Sequence, residues 1–231
     1  MPYRRLPNTD EARIRALEKA IQTGNSQSVL QQIVPFEILS EARTLLSRFR
    51  DAQNVYQQTL KAQTQSNKKY QVLVKNAKLY LSHFIQVFNL AVIRREIKEE
   101  LKELYGLNPK DYSTPDMLSD NALLSWGEKI IKGENERIQK GGAPIYNPTI
   151  AKVKVHYDLF KEAFHAQKMH QKNTSRSLKA LNEMRAPADK IILDVWNATE
   201  ESFKNLSGEA RLNKCREFGV MYYYRKGESA Q

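Results

Sequence analysis

Between Pro35 and Gly106 the chain runs 70 residues without a glycine or a proline, and between Pro148 and Pro187 it runs another 38. These two residue types are the strongest breakers of regular structure, and strands usually last only about 5–6 residues. Unbroken stretches of this length belong to helices. Their contents agree: Ala, Leu, Gln, Lys, Glu and Arg dominate, all good helix formers. Apolar residues recur every three or four positions, first through Leu39, Ala42, Leu46, Phe49 and Tyr56, then through Leu73, Ala77, Leu81, Phe84 and Phe88. That spacing puts each series on one helical face. Between the series, Gln63–Lys69 holds no strong apolar residue. A single helix across the whole stretch would be about 105 Å long. Folding back near Ser66 and Asn67 lets the two faces cover each other, so the expectation is a helical hairpin.

The punctuation elsewhere fits an all-α chain. Asn8 with Glu11 forms a capping-box pattern, Gly24 lies past the expected end of that first helix, and Ile14, Leu17 and Ile21 supply its apolar stripe. Pro35 and Pro148 suit first-turn positions, Pro148 following Asn147 as N-cap. Thr114-Pro115 and Ser119 offer starts for a helix through Leu123, Leu124, Ile130, Ile131 and Ile138, which Gly127 and Gly133 weaken or break. Gly141–Pro148 is a loop, and Pro187 either kinks a helix or marks its start.

The chain also resembles itself at an offset of about 110 residues. Phe49-Arg-Asp-Ala52 matches Phe160-Lys-Glu-Ala163, and Tyr105-Gly106-Leu107 matches Phe218-Gly219-Val220. The expected architecture is an all-α bundle of about six helices, built from a duplicated three-helix unit over 8–107 and 119–220. Close packing of the two units as one body is favoured over two separate bundles, because a long amphipathic hairpin has more apolar surface than one short helix covers. Residues 221–231 form an extended tail. Its start, rich in aromatic and branched residues, needs a β partner: another chain, the segment Met1–Leu6, or a groove between helices.

The opening Tyr3-Arg-Arg-Leu-Pro-Asn-Thr-Asp10, followed by the amphipathic Glu11–Ile21, resembles the start of a family of bacterial all-helical proteins with no assigned activity. The resemblance implies helices and carries over no functional residue.

Charge narrows the partners. The chain has 37 Lys+Arg against 26 Asp+Glu, a net charge of +11. Residues 52–93 and 163–182 contain no acid at all, and they place Lys61, Lys68, Lys69, Lys168, Lys172 and Arg176 as candidate polyanion contacts at two Lys/Gln-rich hairpin tips. Solubility alone also explains such tips. No helix-turn-helix, RNP-type or zinc-finger spacing accompanies them. The alternation from Arg94 to Glu103 reads as a solvated helix face with i,i+4 pairs. In the tail, Tyr222, Tyr223, Tyr224 and Arg225 form a candidate interface, since Tyr and Arg most often anchor contacts.

Little here points to catalysis. Glu162-x-x-His165 has the spacing of di-iron bundles, but the other candidate, His83, has Tyr80 in the carboxylate position. Cys215 lies between Lys214 and Arg216, whose charges could lower its pKa, yet a lone helical cysteine is most often packing. Asp189 and Asp194 do not share a helical face. No phosphate-binding glycine loop or nucleophile elbow occurs. The expectation is no catalytic residue, no cofactor and no metal. No apolar run is long enough for a membrane span, and one cysteine fits the reducing cytoplasm. The first functional reading is a soluble interaction or scaffold protein, partnered by itself as a homodimer or by another protein. The alternative is a nucleic-acid-associated protein using the basic tips.

Overall fold

The computed structural model describes residues 2–28 and 32–225. Among them are six α-helices: α1 Asp10–Asn25, α2 Phe36–Ile93, α3 Asp120–Gln139, α4 Ile150–Glu183, α5 Arg185–Ser202 and α6 Gly208–Glu217. A 3-10 helix covers Glu99–Tyr105, and two short strands, β1 Tyr3–Arg4 and β2 Tyr222–Tyr223, pair antiparallel. The all-α expectation holds.

The hairpin at Ser66-Asn67 does not exist. α2 is one helix of 58 residues, about 87 Å at 1.5 Å per residue. Likewise α4 runs unbroken through 163–182. The chain folds instead as two compact units, residues 1–60 with 173–231 and residues 61–172, so α2 passes from one to the other after Leu60 and α4 after Lys172. This division cuts across the expected units 8–107 and 119–220. The apolar faces of α2 must be covered, and each half finds its cover in its own unit. In the first, Leu39, Ala42, Leu46 and Phe49 pack with Leu181, Ile192, Val195 and Trp196. In the second, Tyr70, Leu81 and Phe84 pack with Val153, Tyr157 and Phe160. Around the middle of α2 polar side chains take over the contacts with α4. Thr59 Oγ1 meets Ser177 Oγ at 2.8 Å in the first unit, and Gln167 Nε2 donates to Asn67 Oδ1 at 3.5 Å in the second. Gln and Lys propagate a helix well, so the lack of apolar residues forces no turn.

Several ends differ from expectation by a residue or two. Thr9, not Asn8, caps α1, its side chain accepting from Ala12 N at 3.2 Å. Gly24 lies inside that helix, buried against Leu39. Ser119 caps α3 as expected, accepting from Ala122 N at 3.1 Å. Thr149 precedes α4 and accepts from Lys152 N at 3.3 Å, taking the role expected of Asn147. Pro187 sits in the first turn of α5, so it marks a start.

α3 is not broken by its glycines. A Cβ on Gly133 would lie 2.7 Å from Leu104 O and 2.8 Å from the Tyr105 ring, and one on Gly127 would lie 2.2 Å from the Tyr157 ring. Bare backbone at these points lets neighbours approach closely.

The Arg94–Glu103 segment is also not a solvated α-helical face. α2 ends at Ile93, Arg95 takes φ 61°, and the following 3-10 helix turns Lys102 fully inward. Lys102 Nζ donates to Pro109 O at 3.1 Å and Asp111 O at 2.6 Å, and lies 4.0 Å from the Tyr112 ring centre. Burial lowers its pKa, partly offset by Asp111 and Glu99.

The tail finds its β partner within the chain. Tyr3 pairs with Tyr223 and Arg4 with Tyr222, and Arg5 N donates to Met221 O at 2.9 Å. Residues 226–231 of the expected tail lie outside the described residues.

Candidate functional site

The candidate cations sit in mid-helix, not at tips. Lys61, Lys68 and Lys69 on α2 and Lys168, Lys172 and Arg176 on α4 are all exposed. On α2, Lys61 and Lys68 are seven residues apart and share a face. Tyr70, Val74 and Ala77 bury the opposite side. On α4, Lys168 and Lys172 are four residues apart, neighbours on the helix surface. Lys61, Lys68, Lys69, Lys168 and Lys172 belong to the 61–172 unit; Arg176 belongs to the other. Among the described residues none of the six forms an ion pair. Lys168 Nζ rests 5.4 Å from the Phe164 ring centre. The acid-free stretches therefore present cations that the protein itself does not neutralise. Nearby on the same unit, Val72, Leu79 and Leu118 are 57, 62 and 82 % exposed.

The tail residues divide. Tyr222 is half-buried and its hydroxyl donates to Glu200 Oε1 at 2.7 Å. Burial and that bond push its pKa up. Tyr223 and Tyr224 are exposed, and the Tyr223 ring lies 5.8 Å from that of Tyr3. The Arg225 guanidinium sits 4.2 Å from the centre of the Tyr3 ring. Cys215 is fully buried beside Tyr222, and burial raises its pKa, so the flanking cations do not make it a thiolate.

Glu162, His165 and His83 are exposed, and His156 stacks on Tyr80 at 3.9 Å. Among the described residues no group of three or more His, Cys, Asp or Glu is placed to hold a metal.

The densest polar cluster escaped the sequence reading. In the 61–172 unit, Glu134 and Arg137 are buried on one face of α3. Arg137 Nε donates to Glu134 Oε2 at 2.9 Å and to Tyr105 Oη at 2.9 Å. Its Nη2 donates to Glu134 Oε1 at 2.9 Å and to Ala143 O at 2.7 Å. Tyr105 Oη also donates to Glu134, and Ile145 N reaches Glu134 Oε1 at 3.2 Å. Burial disfavours the Arg137 cation, but Glu134 and Tyr105 together outweigh it and the net shift is upward. Burial and Glu134 push Tyr105 upward too. The i,i+3 spacing of Glu134 and Arg137 was visible, but so were many such pairs on solvated faces; nothing local marks this one as buried. Arg137 also lines a cleft of about 670 Å³ with Ile97, Lys98, Leu101, Gly142 and Ile145.

No known protein family, curated protein or solved structure matches this chain. No helix among the described residues is long and apolar enough to cross a membrane.

Proposed function

We propose that this chain is a non-catalytic helical interaction protein of the cytoplasm that pairs with itself or another protein through its long helices. The observation that carries this reading is the outer face of α2. Val72 and Leu79, seven residues apart on that face, are more than half exposed, and Leu118 is exposed in the same unit. Clusters of large exposed apolar residues mark interaction surfaces. Light scattering on the purified chain tests it. A dimer that Val72→Glu with Leu79→Glu converts to monomer supports the reading. A wild-type monomer at the highest soluble concentration counts against self-pairing and leaves a second protein as the partner to be captured.

A second reading, a nucleic-acid-associated protein, is supported by the unpaired cations of α2 and α4. Counterion release makes such binding strongly salt-dependent, with log K falling by about 0.9 per phosphate contact per decade of salt. Fluorescence anisotropy with a labelled duplex DNA and a labelled RNA, at two salt concentrations, tests it. Reversal of Lys61, Lys68, Lys69, Lys168 and Lys172 should abolish binding. No binding by wild type at low salt removes the reading. The internal duplication expected from the sequence is supported by two short-helix ends at matched positions: Gly106 after the 3-10 helix and Gly219 after α6 take φ 67° and 86°, each between two buried residues.

A further inference from the structure

The cleft beside Arg137 has the make-up of a small-molecule site. Its volume, about 670 Å³, falls within the roughly 300–1,000 Å³ of ligand pockets. One part of its wall is apolar, from Val87, Ala91, Ile97, Leu101 and Ile145. Another part carries cations. Lys98 is exposed at the edge, and Arg94 is held by Glu96 at 2.8 Å.

The decisive group is Arg137. It is 3 % exposed, and its Nε and Nη2 supply every bond it makes to Glu134, Tyr105 and Ala143. Nη1 donates to no atom among the described residues, yet it is not an enclosed, unsatisfied atom. Arg137 is one of the residues that line the cleft. Gly142, which also lines the cleft, sits against Nη1: a Cβ there would stand 2.6 Å from it. A guanidinium clamped on one side by a buried carboxylate is pre-oriented, so it offers its free N–H groups at little further entropic cost.

We propose that this cleft binds a small amphiphilic anion, a carboxylate or phosphate ester bearing an apolar group. The anion accepts from Arg137 Nη1 and pairs with Lys98, and the apolar group lies against Ile97, Leu101 and Ile145. Glu134 acts as a positioning residue, holding the guanidinium plane. The site is separate from the lysine rows of α2 and α4, so its outcome is independent of the functional reading above.

Titration calorimetry on the full chain tests the proposal with three probes: benzoate, phenyl phosphate and inorganic phosphate. The expected result is saturable one-to-one binding of phenyl phosphate or benzoate, with inorganic phosphate at least tenfold weaker. Whichever aryl anion binds more tightly assigns the head group. Lys98→Glu should weaken binding at least tenfold. Ala143→Phe, a change at an exposed loop position on the cleft wall, should block it. Lys190→Glu, at an exposed position away from the cleft, should leave it unchanged. Unaltered unfolding temperatures of the ligand-free variants exclude misfolding. Absence of saturable binding by either aryl anion up to 10 mM (roughly −2.7 kcal/mol) overturns the proposal. So does equal affinity for inorganic phosphate, or binding that survives both Lys98→Glu and Ala143→Phe.

Discussion

Arg13 and Asp189 stand 176 positions apart and meet side by side, Nε to Oδ1 at 2.8 Å and Nη2 to Oδ2 at 2.9 Å. A second fork runs in the opposite chain direction: Arg185 grips Asp10 with two bonds of 2.8 Å. Arg13 also lies 3.6 Å from Asp10, so the four side chains tie α1 to α5 as one network. The Arg13 side chain is only 11 % exposed. Forked, charge-assisted bonds of this kind are the stronger class. Asp189→Ala should cost about 1–3 kcal/mol, because it leaves a partly buried guanidinium short of partners. A double-mutant cycle with Arg13→Ala, read by urea unfolding, should return a coupling of about 1 kcal/mol or more. A coupling near zero would mean that the network contributes geometry and no stability.

The continuity of α2 gives a sharper test. If Ser66 and Asn67 formed a turn, glycine or proline there would be harmless. Inside a helix, Asn67→Pro removes a backbone donor and clashes with the preceding turn, costing about 3 kcal/mol or more. Ser66→Gly should cost only a few tenths of a kcal/mol. The expected outcome is a large loss of helical circular dichroism stability for Asn67→Pro and a small one for Ser66→Gly. Equal, negligible effects would restore the hairpin.

These two cases mark where sequence reading works and where it stops. Helix type, the buried stripes of α1 and α2, and the Ser119 cap follow from local spacing, and local spacing is written in the chain. The missing turn at Ser66 depended on what covers each half of α2, which is a tertiary fact. Thr59, Asn67, Gln167 and Ser177 look like loop residues in one dimension, but Thr59 pairs with Ser177 in one unit and Asn67 with Gln167 in the other. Lys102 is the clearest failure among the charges. Its neighbours form an ordinary solvated alternation, and only the end of α2 at Ile93 and the 3-10 helix that follows turn it inward. The cations of α2 and α4 were legible as residues; their position in mid-helix was not.

The buried Tyr105 hydroxyl makes alkaline stability predictable. An ordinary tyrosine titrates at 10.0, and burial first, then Glu134, pushes Tyr105 well above that. Between pH 10.0 and the folded value, the folded chain keeps a proton that the unfolded chain has lost. Its contribution is therefore complete below pH 10.0 and is lost as pH climbs through the folded pKa. In that window one such group gives a slope of about 1.4 kcal/mol per pH unit. Tyr105→Phe should flatten the alkaline limb by about that amount, measured as urea midpoints between pH 9 and 11 (roughly one unit either side of an ordinary tyrosine). Lys102, lowered by burial, contributes the opposite slope below pH 10.5, but it does so in both proteins and cancels in the difference. Identical limbs would show that Tyr105 titrates as an ordinary tyrosine.

Gly133 sets packing against propensity. Replacing a mid-helix glycine by alanine ordinarily stabilises by about 1 kcal/mol. Here the new methyl group would stand 2.7 Å from Leu104 O and 2.8 Å from the Tyr105 ring. The first contact is backbone and cannot rotate away. The second is the ring whose hydroxyl is held by Glu134 and Arg137. Relief requires α3 to lift from the 3-10 helix, and overpacking of this kind costs about 1–3 kcal/mol. Gly133→Ala should therefore lower stability by more than it does in a Tyr105→Ala background, where the ring Cγ and Cδ1 that the methyl would meet are gone. Urea unfolding of the single and double variants decides it. A stabilised Gly133→Ala would mean that α3 and the 3-10 helix are not in close contact, and the clamp on Arg137 would then lack its floor.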